Sequence, residues 1–110
     1  VSSDRYDSTI DVPVINGEPT VVDSFTTSFA DMAKYIIKIK DLDATPFSIS
    51  GQDLLLVHDG TDIFLTEYGI QFTDSIMGFF SATIVDGNVS LIFTPNYTSN
   101  MTVSLFRFYS

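Results

Sequence analysis

The stretch Gln52 to Ile70, QDLLLVHDGTDIFLTEYGI, restricts the fold more than any other part of the chain. Two runs of strand-forming residues flank Asp59-Gly60. Asp-Gly between alternating apolar residues is the strongest short-range signal for a β-hairpin, because a type I′ turn needs positive φ at both central positions. With a two-residue turn at Asp59-Gly60, Leu56 faces Ile63 and Leu54 faces Leu65 on one side, and Leu55 faces Phe64 on the other. The first face is continuously apolar and belongs against a core. The second mixes Leu55, Val57 and Phe64 with Asp53, Asp62 and Thr66, a composition suited to a surface half covered by a neighbouring element or a partner chain.

The same period of two recurs along the chain. From Met32 to Asp41, Ala33, Tyr35, Ile37 and Ile39 alternate with Lys34, Ile36, Lys38 and Lys40. A helix would scatter the lysines, whereas a strand gathers them into a stripe on one face. Such a stripe pairs with acidic neighbours across strands, guards a sheet edge, or meets an acidic partner surface. A second hairpin follows at residues 77–95, where a turn at Asp86-Gly87 sets Ile84 opposite Val89, Ala82 opposite Leu91 and Phe80 opposite Phe93, and a turn at Gly87-Asn88 would slide this pairing by two while keeping the same apolar face. Thr20 to Phe25, Phe47 to Ser50 (ended by Gly51) and Met101 to Tyr109 complete the strand candidates. No stretch reads as a helix beyond one short turn within Thr27 to Lys34. About eight short strands at this spacing predict an all-β chain, an antiparallel β-sandwich of jelly-roll-like type.

A chain of 110 residues makes one domain, able to bury roughly two thirds of its unfolded surface. Residues 1–18, with Ile10 to Ile15 interrupted by Pro13, are expected to form an N-terminal extended arm or edge segment, because proline is confined to edges or irregular arms. Residues 19–110 form the single sandwich domain. The first residue is Val1, which suggests a processed product or a segment of something longer. No apolar run is long enough to span a bilayer and no basic-then-apolar signal heads the chain, so no membrane insertion is expected. A net charge of −9, from fourteen carboxylates against five Lys and Arg, disfavours nucleic acid as a partner.

Chemistry-bearing residues are sparse. Without cysteine there is neither a disulfide framework nor a thiolate metal site. His58 is the single histidine, near Asp62 and Glu67, but no nucleophile or shaped pocket accompanies it, and a turn-flanking histidine that hydrogen-bonds locally is the simpler reading. Asp41 with Asp43, or Asp4 with Asp7, could offer oxygens to calcium, yet neither pair belongs to a complete loop pattern. No catalytic residue, metal site or cofactor is therefore expected, and the chain reads as a non-enzyme. Asn88, Asn96 and Asn100 head glycosylation sequons, relevant only in a secretory pathway. Tyr35, Tyr68, Tyr97 and Tyr109 could stack on sugars, although core and interface packing explains them equally well.

The ordered blocks VDSF (Val22–Phe25), AKYIIKIKD (Ala33–Asp41), LLLVHDGTDIFLTEYG (Leu54–Gly69), GFFSATIVDGNVSLIFTP (Gly78–Pro95) and TVSLFRF (Thr102–Phe108) resemble virion structural domains of marine tailed phages, especially contractile-tailed phages of cyanobacteria. The most specific piece is VHDGT with TEYG, at Val57–Thr61 and Thr66–Gly69. The likeness implies a non-enzymatic particle component in the virion, whether capsid decoration, neck, tail or fibre. Its expected partners are copies of itself and other virion proteins. Candidate contacts are Leu55, Val57 and Phe64 on the second hairpin face, with Phe106, Phe108 and Tyr109 near the C-terminus. The alternative is a carbohydrate-binding or host-attachment module, whose exposed tyrosines and Asp-rich loops grip a host-surface glycan.

Overall fold

The alternation written in the sequence becomes eight strands: β1 (Tyr6–Val14), β2 (Thr20–Thr26), β3 (Met32–Asp41), β4 (Ser48–His58), β5 (Ile63–Phe72), β6 (Gly78–Val85), β7 (Asn88–Pro95) and β8 (Met101–Tyr109). A computed structural model, which describes residues 6–43, 48–72, 77–96 and 98–110, arranges them in two antiparallel sheets ordered β1-β8-β3-β4-β5 and β2-β7-β6. The chain changes sheet between β1 and β2, β2 and β3, β5 and β6, and β7 and β8, while β3, β4 and β5 form a meander. The expected all-β sandwich is therefore the observed fold. Keeping the β4-β5 hairpin beside β3 makes one sheet wide and the other narrow.

Burial follows strand parity. In β3, Ala33, Tyr35, Ile37 and Ile39 are buried between the sheets, while Lys34, Ile36 and Lys38 point away. They meet Leu54 and Leu56 from β4, Met101, Val103 and Leu105 from β8, and Val89, Leu91 and Phe93 from β7 in one core. β3 lies in the middle of the wide sheet, hydrogen-bonded to β8 and β4, so its lysines do not guard an edge. Nor does a carboxylate stand directly across from the two outermost-facing ones. Lys34 is opposite Leu55 and Phe108, and Lys38 is opposite Gly51 and Ser104.

The two hairpins diverge from one another. In β6-β7, Asp86 and Gly87 both have positive φ (52° and 77°), and Ile84↔Val89, Ala82↔Leu91 and Phe80↔Phe93 pair as expected of a type I′ turn. In β4-β5 the last pair is His58↔Ile63, followed by Leu56↔Leu65 and Leu54↔Glu67, so the expected pairing of Leu56 with Ile63 is displaced by two residues. The cause is Asp59. Its Oδ1 accepts the N–H groups of Thr61 (3.0 Å) and Asp62 (2.7 Å), which closes a four-residue loop and leaves only Gly60 at positive φ. A slip of two preserves the faces, so Leu54, Leu56, Ile63 and Leu65 still face the core.

Gly51 does not end a strand. β4 runs through it from Ser48 to His58, and the irregularity falls on β5, where Gly69 and Ile70 together oppose Gln52 and Gly69 adopts φ +65°. A second bulge lies in β2. Val21 pairs with Ile92 and Asp23 with the very next residue of β7, Leu91, so Val22 is the extra residue and both Val22 and Asp23 are buried. β1 is an edge strand paired along its length with β8, from Tyr6↔Tyr109 to Val14↔Met101. Pro13 sits there, where a missing N–H is tolerated.

Candidate interaction surface

The outward face of the wide sheet can be read row by row from the register. Met32, Val57 and Phe64 form one row, and Phe108, Lys34, Leu55 and Thr66 the next. Thr9, Phe106, Ile36, Asp53 and Tyr68 follow. Phe64 is 63% exposed, Ile36 45%, Phe106 41% and Val57 38%, while Leu55 and Phe108 are half-buried among them. The rings of Phe106 and Phe108 lie 4.7 Å apart. Five of the six contacts expected from the sequence thus share one surface. Beside them is a shallow hollow of about 410 Å³, lined by Met32, Lys34, Leu55, Phe108, Tyr109 and Ser110. A half-exposed apolar patch of this breadth on a sheet face is the ordinary mark of an interaction site.

Tyr109 differs from the other five. Its side chain is turned inward and is 4% exposed, so its ring is not part of the outer patch. Instead it packs edge-on against Phe25 (5.3 Å) and Phe29 (5.2 Å), and its hydroxyl donates to Asp23 Oδ2 at 2.5 Å. Tyr35 Oη donates to the same oxygen at 2.7 Å, and Arg107 Nη1 donates to Oδ1 at 2.8 Å. The bulge at Val22 makes this cluster possible, since strict alternation would place Val22 and Asp23 on opposite faces. Burial pushes the Tyr35 phenol well above its ordinary value, reinforced by the Asp23 carboxylate. Tyr109 is shifted the same way by burial and by its hydrogen bond to Asp23. Both phenols stay protonated donors, and the cluster ties the narrow sheet, through Asp23, to β3 and β8 of the wide one.

Sequence reasoning missed this cluster. The available signal was a single Arg between two phenylalanines, on the inward phase of β8, and a single Asp inside the apolar run VVDSF, whose facing the bulge decides. The cluster borders a cleft of about 340 Å³ between the edge strands β1 and β2, lined by Ile10, Val12, Val21 and Val22 with Asp23, Ser24 and Arg107.

The remaining candidates have structural partners. His58 is buried, with Nδ1 accepting the Gly60 N–H (3.0 Å) and Nε2 donating to the Ala30 carbonyl (2.6 Å). Asp41 Oδ1 accepts the N–H of Asp43, and Asp43 Oδ2 accepts that of Asn100, so this pair caps turns. Asp4 and the side chain of Asp7 lie outside the described residues, as does Tyr97. Among the described residues no group of three potential ligands could hold a metal ion. Asn88 and Asn96 are exposed, while Asn100 Oδ1 accepts the N–H of Asn16. Of the tyrosines proposed to stack on sugars, Tyr35 and Tyr109 are buried and Tyr68 is 39% exposed. Among the described residues no helix is long and apolar enough to cross a membrane.

No protein-family model matches the sequence, and no curated protein matches it. Solved structures do share its fold. The tailspike protein of Acinetobacter phage vB_ApiP_P1 matches 97% of this chain with a TM-score of 0.58 at 12% identity. Tailspike protein gp49 of Acinetobacter baumannii bacteriophage Fri1, described as a capsular polysaccharide depolymerase, matches 96% with a TM-score of 0.54 at 12% identity. The tailspike protein of Acinetobacter baumannii phage AM24 matches 97% with a TM-score of 0.50 at 10% identity. The chain spans 22%, 18% and 26% of those proteins respectively, so each contains this fold as a minor part of its length. The class defined is an antiparallel β-sandwich of the kind found within phage tailspikes.

Proposed function

We propose that this chain is a non-enzymatic β-sandwich module of a tailed-phage virion, part of the tail or attachment apparatus, which works by docking through the outer face of its wide sheet. The observation that carries the reading is the patch of Ile36, Val57, Phe64 and Phe106, 38–63% exposed on a sheet whose other face packs against the core. The shared fold with tailspike proteins supports a tail or attachment position over capsid decoration. The VHDGT and TEYG blocks support the finer assignment to a phage of the marine cyanobacterial type. Mass spectrometry of purified particles tests the reading: the chain is expected in fixed stoichiometry with tail proteins, and its absence from particles would sink it.

A second reading, host-glycan binding, is favoured by the description of one fold neighbour as a capsular polysaccharide depolymerase and by the exposed ring of Tyr68. It requires saturable binding on a glycan array that Tyr68→Ala abolishes. An array that stays blank at high protein concentration counts against it.

A further inference from the structure

Three of the chain's five cations, Lys34, Lys38 and Lys40, stand in line on the outer face of the wide sheet, where the described carboxylates are Asp53, in the row between Lys34 and Lys38, and Asp11. Exposed Asp31, Asp59, Asp62 and Asp86 sit in loops and turns at one end of the sandwich, and Glu18, Asp43 and Glu67 are exposed elsewhere. Lys34 and Lys38 have no ion-pair partner among the described residues. The face is thus an apolar patch carrying a positive line on a molecule of net charge −9, and the hollow at Lys34 is walled by Met32, Leu55 and Phe108.

We propose that this hollow and lysine line dock an acidic, extended polypeptide segment of another protein, with one apolar side chain entering beside Phe108 and Leu55 and carboxylates meeting Lys34 and Lys38. The inference rests on the outer face being the docking surface and names the chemistry of its partner. Several observations select that occupant. The hollow has the size of a pocket for one large apolar anchor, and its one charged lining side chain is an ammonium. Lys34 and Lys38 are four residues apart on one strand, or roughly 13 Å, so carboxylates with the same spacing on an extended segment match them. The aliphatic stems of the lysines lie along the patch while their heads remain solvated, so the apolar anchor supplies affinity and the charges supply register. Two copies docked through this same face would gather both lysine lines into one interface, which disfavours a symmetric self-dimer.

The test is a titration of the isotope-labelled full chain, followed by heteronuclear NMR, with synthetic probes. These are a short peptide with one phenylalanine and glutamates roughly four residues apart, the same peptide with glycine for phenylalanine, a lysine-for-glutamate counterpart, and an oligogalacturonate. The acidic phenylalanine peptide is expected to shift the amides of Lys34, Leu55 and Phe108 saturably, and the glycine peptide to bind at least about tenfold more weakly. Lys34→Glu with Lys38→Glu should abolish the shifts, whereas the paired arginine variant keeps them. Unchanged spectral dispersion in both variants establishes that they fold. Equal binding of the basic peptide, tighter binding of the oligogalacturonate, or no saturable shift at millimolar peptide would each overturn the proposal. Particles that incorporate the Lys34→Glu/Lys38→Glu chain at the normal level would overturn it too, while leaving the docking role itself intact.

Discussion

The hydroxyl of Tyr35 in the wide sheet donates to Asp23 Oδ2 in the narrow sheet at 2.7 Å, so a buried hydrogen bond spans the sandwich. Asp23 also accepts from Tyr109 and Arg107, so its removal strands two phenols and a guanidinium at once. Asp23→Ala is expected to destabilise the fold by about 3–5 kcal/mol, the scale for breaking a buried pair from one side. Tyr35→Phe, which removes one donor, is expected to cost about 1–3 kcal/mol. Urea denaturation measures both, and equal losses in the two variants would show that Asp23 is not the hub.

The same cluster makes stability depend on alkaline pH. In the unfolded chain both phenols ionise near pH 10, but burial beside Asp23 raises both in the folded state. Their contribution is therefore complete below about pH 10 and is lost as pH rises above it, because the folded state then binds more protons than the unfolded one. Urea midpoints should fall steeply beyond that point. The fall should be shallower in Tyr35→Phe/Tyr109→Phe, and an unchanged slope would mean that the loss originates elsewhere.

Gly78 opens β6 at a point where the chain has no room for a side chain. A Cβ there would lie 2.4 Å from the Thr94 carbonyl oxygen and 2.7 Å from the ring of buried Phe93. Backbone cannot yield as a flexible side chain can, so Gly78→Ala should cost on the order of 1–3 kcal/mol. Gly51→Ala is the control, because a Cβ at that position meets only the Ile37 carbonyl, at 3.8 Å. Thermal melts should show a lower midpoint for the first and an unchanged or raised one for the second.

Gln52 is buried on β4, and its Nε2 has no hydrogen-bond partner among the described residues. A buried amide without a protein partner carries its desolvation penalty without that compensation. Gln52→Met, similar in length and lacking the polar atoms, is expected to raise stability by about 1 kcal/mol. A loss on substitution, measured by urea denaturation, would reveal a partner for the amide.

Faces were legible in the sequence because they depend only on parity. Lys34, Leu55, Val57, Phe64, Phe106 and Phe108 point outward whether or not a strand slides by two, so the make-up of this outer face could be read before the register was known. Asp86-Gly87 was legible because both residues adopt the positive φ that the dipeptide favours. The polar cluster was not, because its hub, Asp23, depends on parity being broken. Asp23 turns inward only through the bulge at Val22, and Tyr109, assigned to the surface with its aromatic neighbours, lies on the inward phase of β8. The position of β3 was equally hidden, since alternation reveals a strand's faces but not its neighbours, and the lysines, for which edge protection was one of three readings, stand in the centre of a sheet.

The loop after His58 carries the last prediction. Asp59 resembles the first residue of a type I′ turn, yet its carboxylate serves the backbone N–H groups of Asp62 and Thr61, and these bonds hold it below the ordinary carboxylate range. A group depressed in this way contributes stability above its unfolded value near pH 3.9 and loses it as pH falls through the lower folded value. The amide resonances of Thr61 and Asp62 should therefore move together below about pH 4, as the carboxylate protonates and the loop loosens. Gly60, held separately by His58 Nδ1, sits between the two anchors and reports on whether they act independently. In Asp59→Ala the acid-dependent shift of Thr61 and Asp62 should vanish, because the carboxylate that accepts both N–H groups is gone. Retention of the titration in Asp59→Ala would assign it to another group, and the Asp59 carboxylate would no longer account for the displaced hairpin.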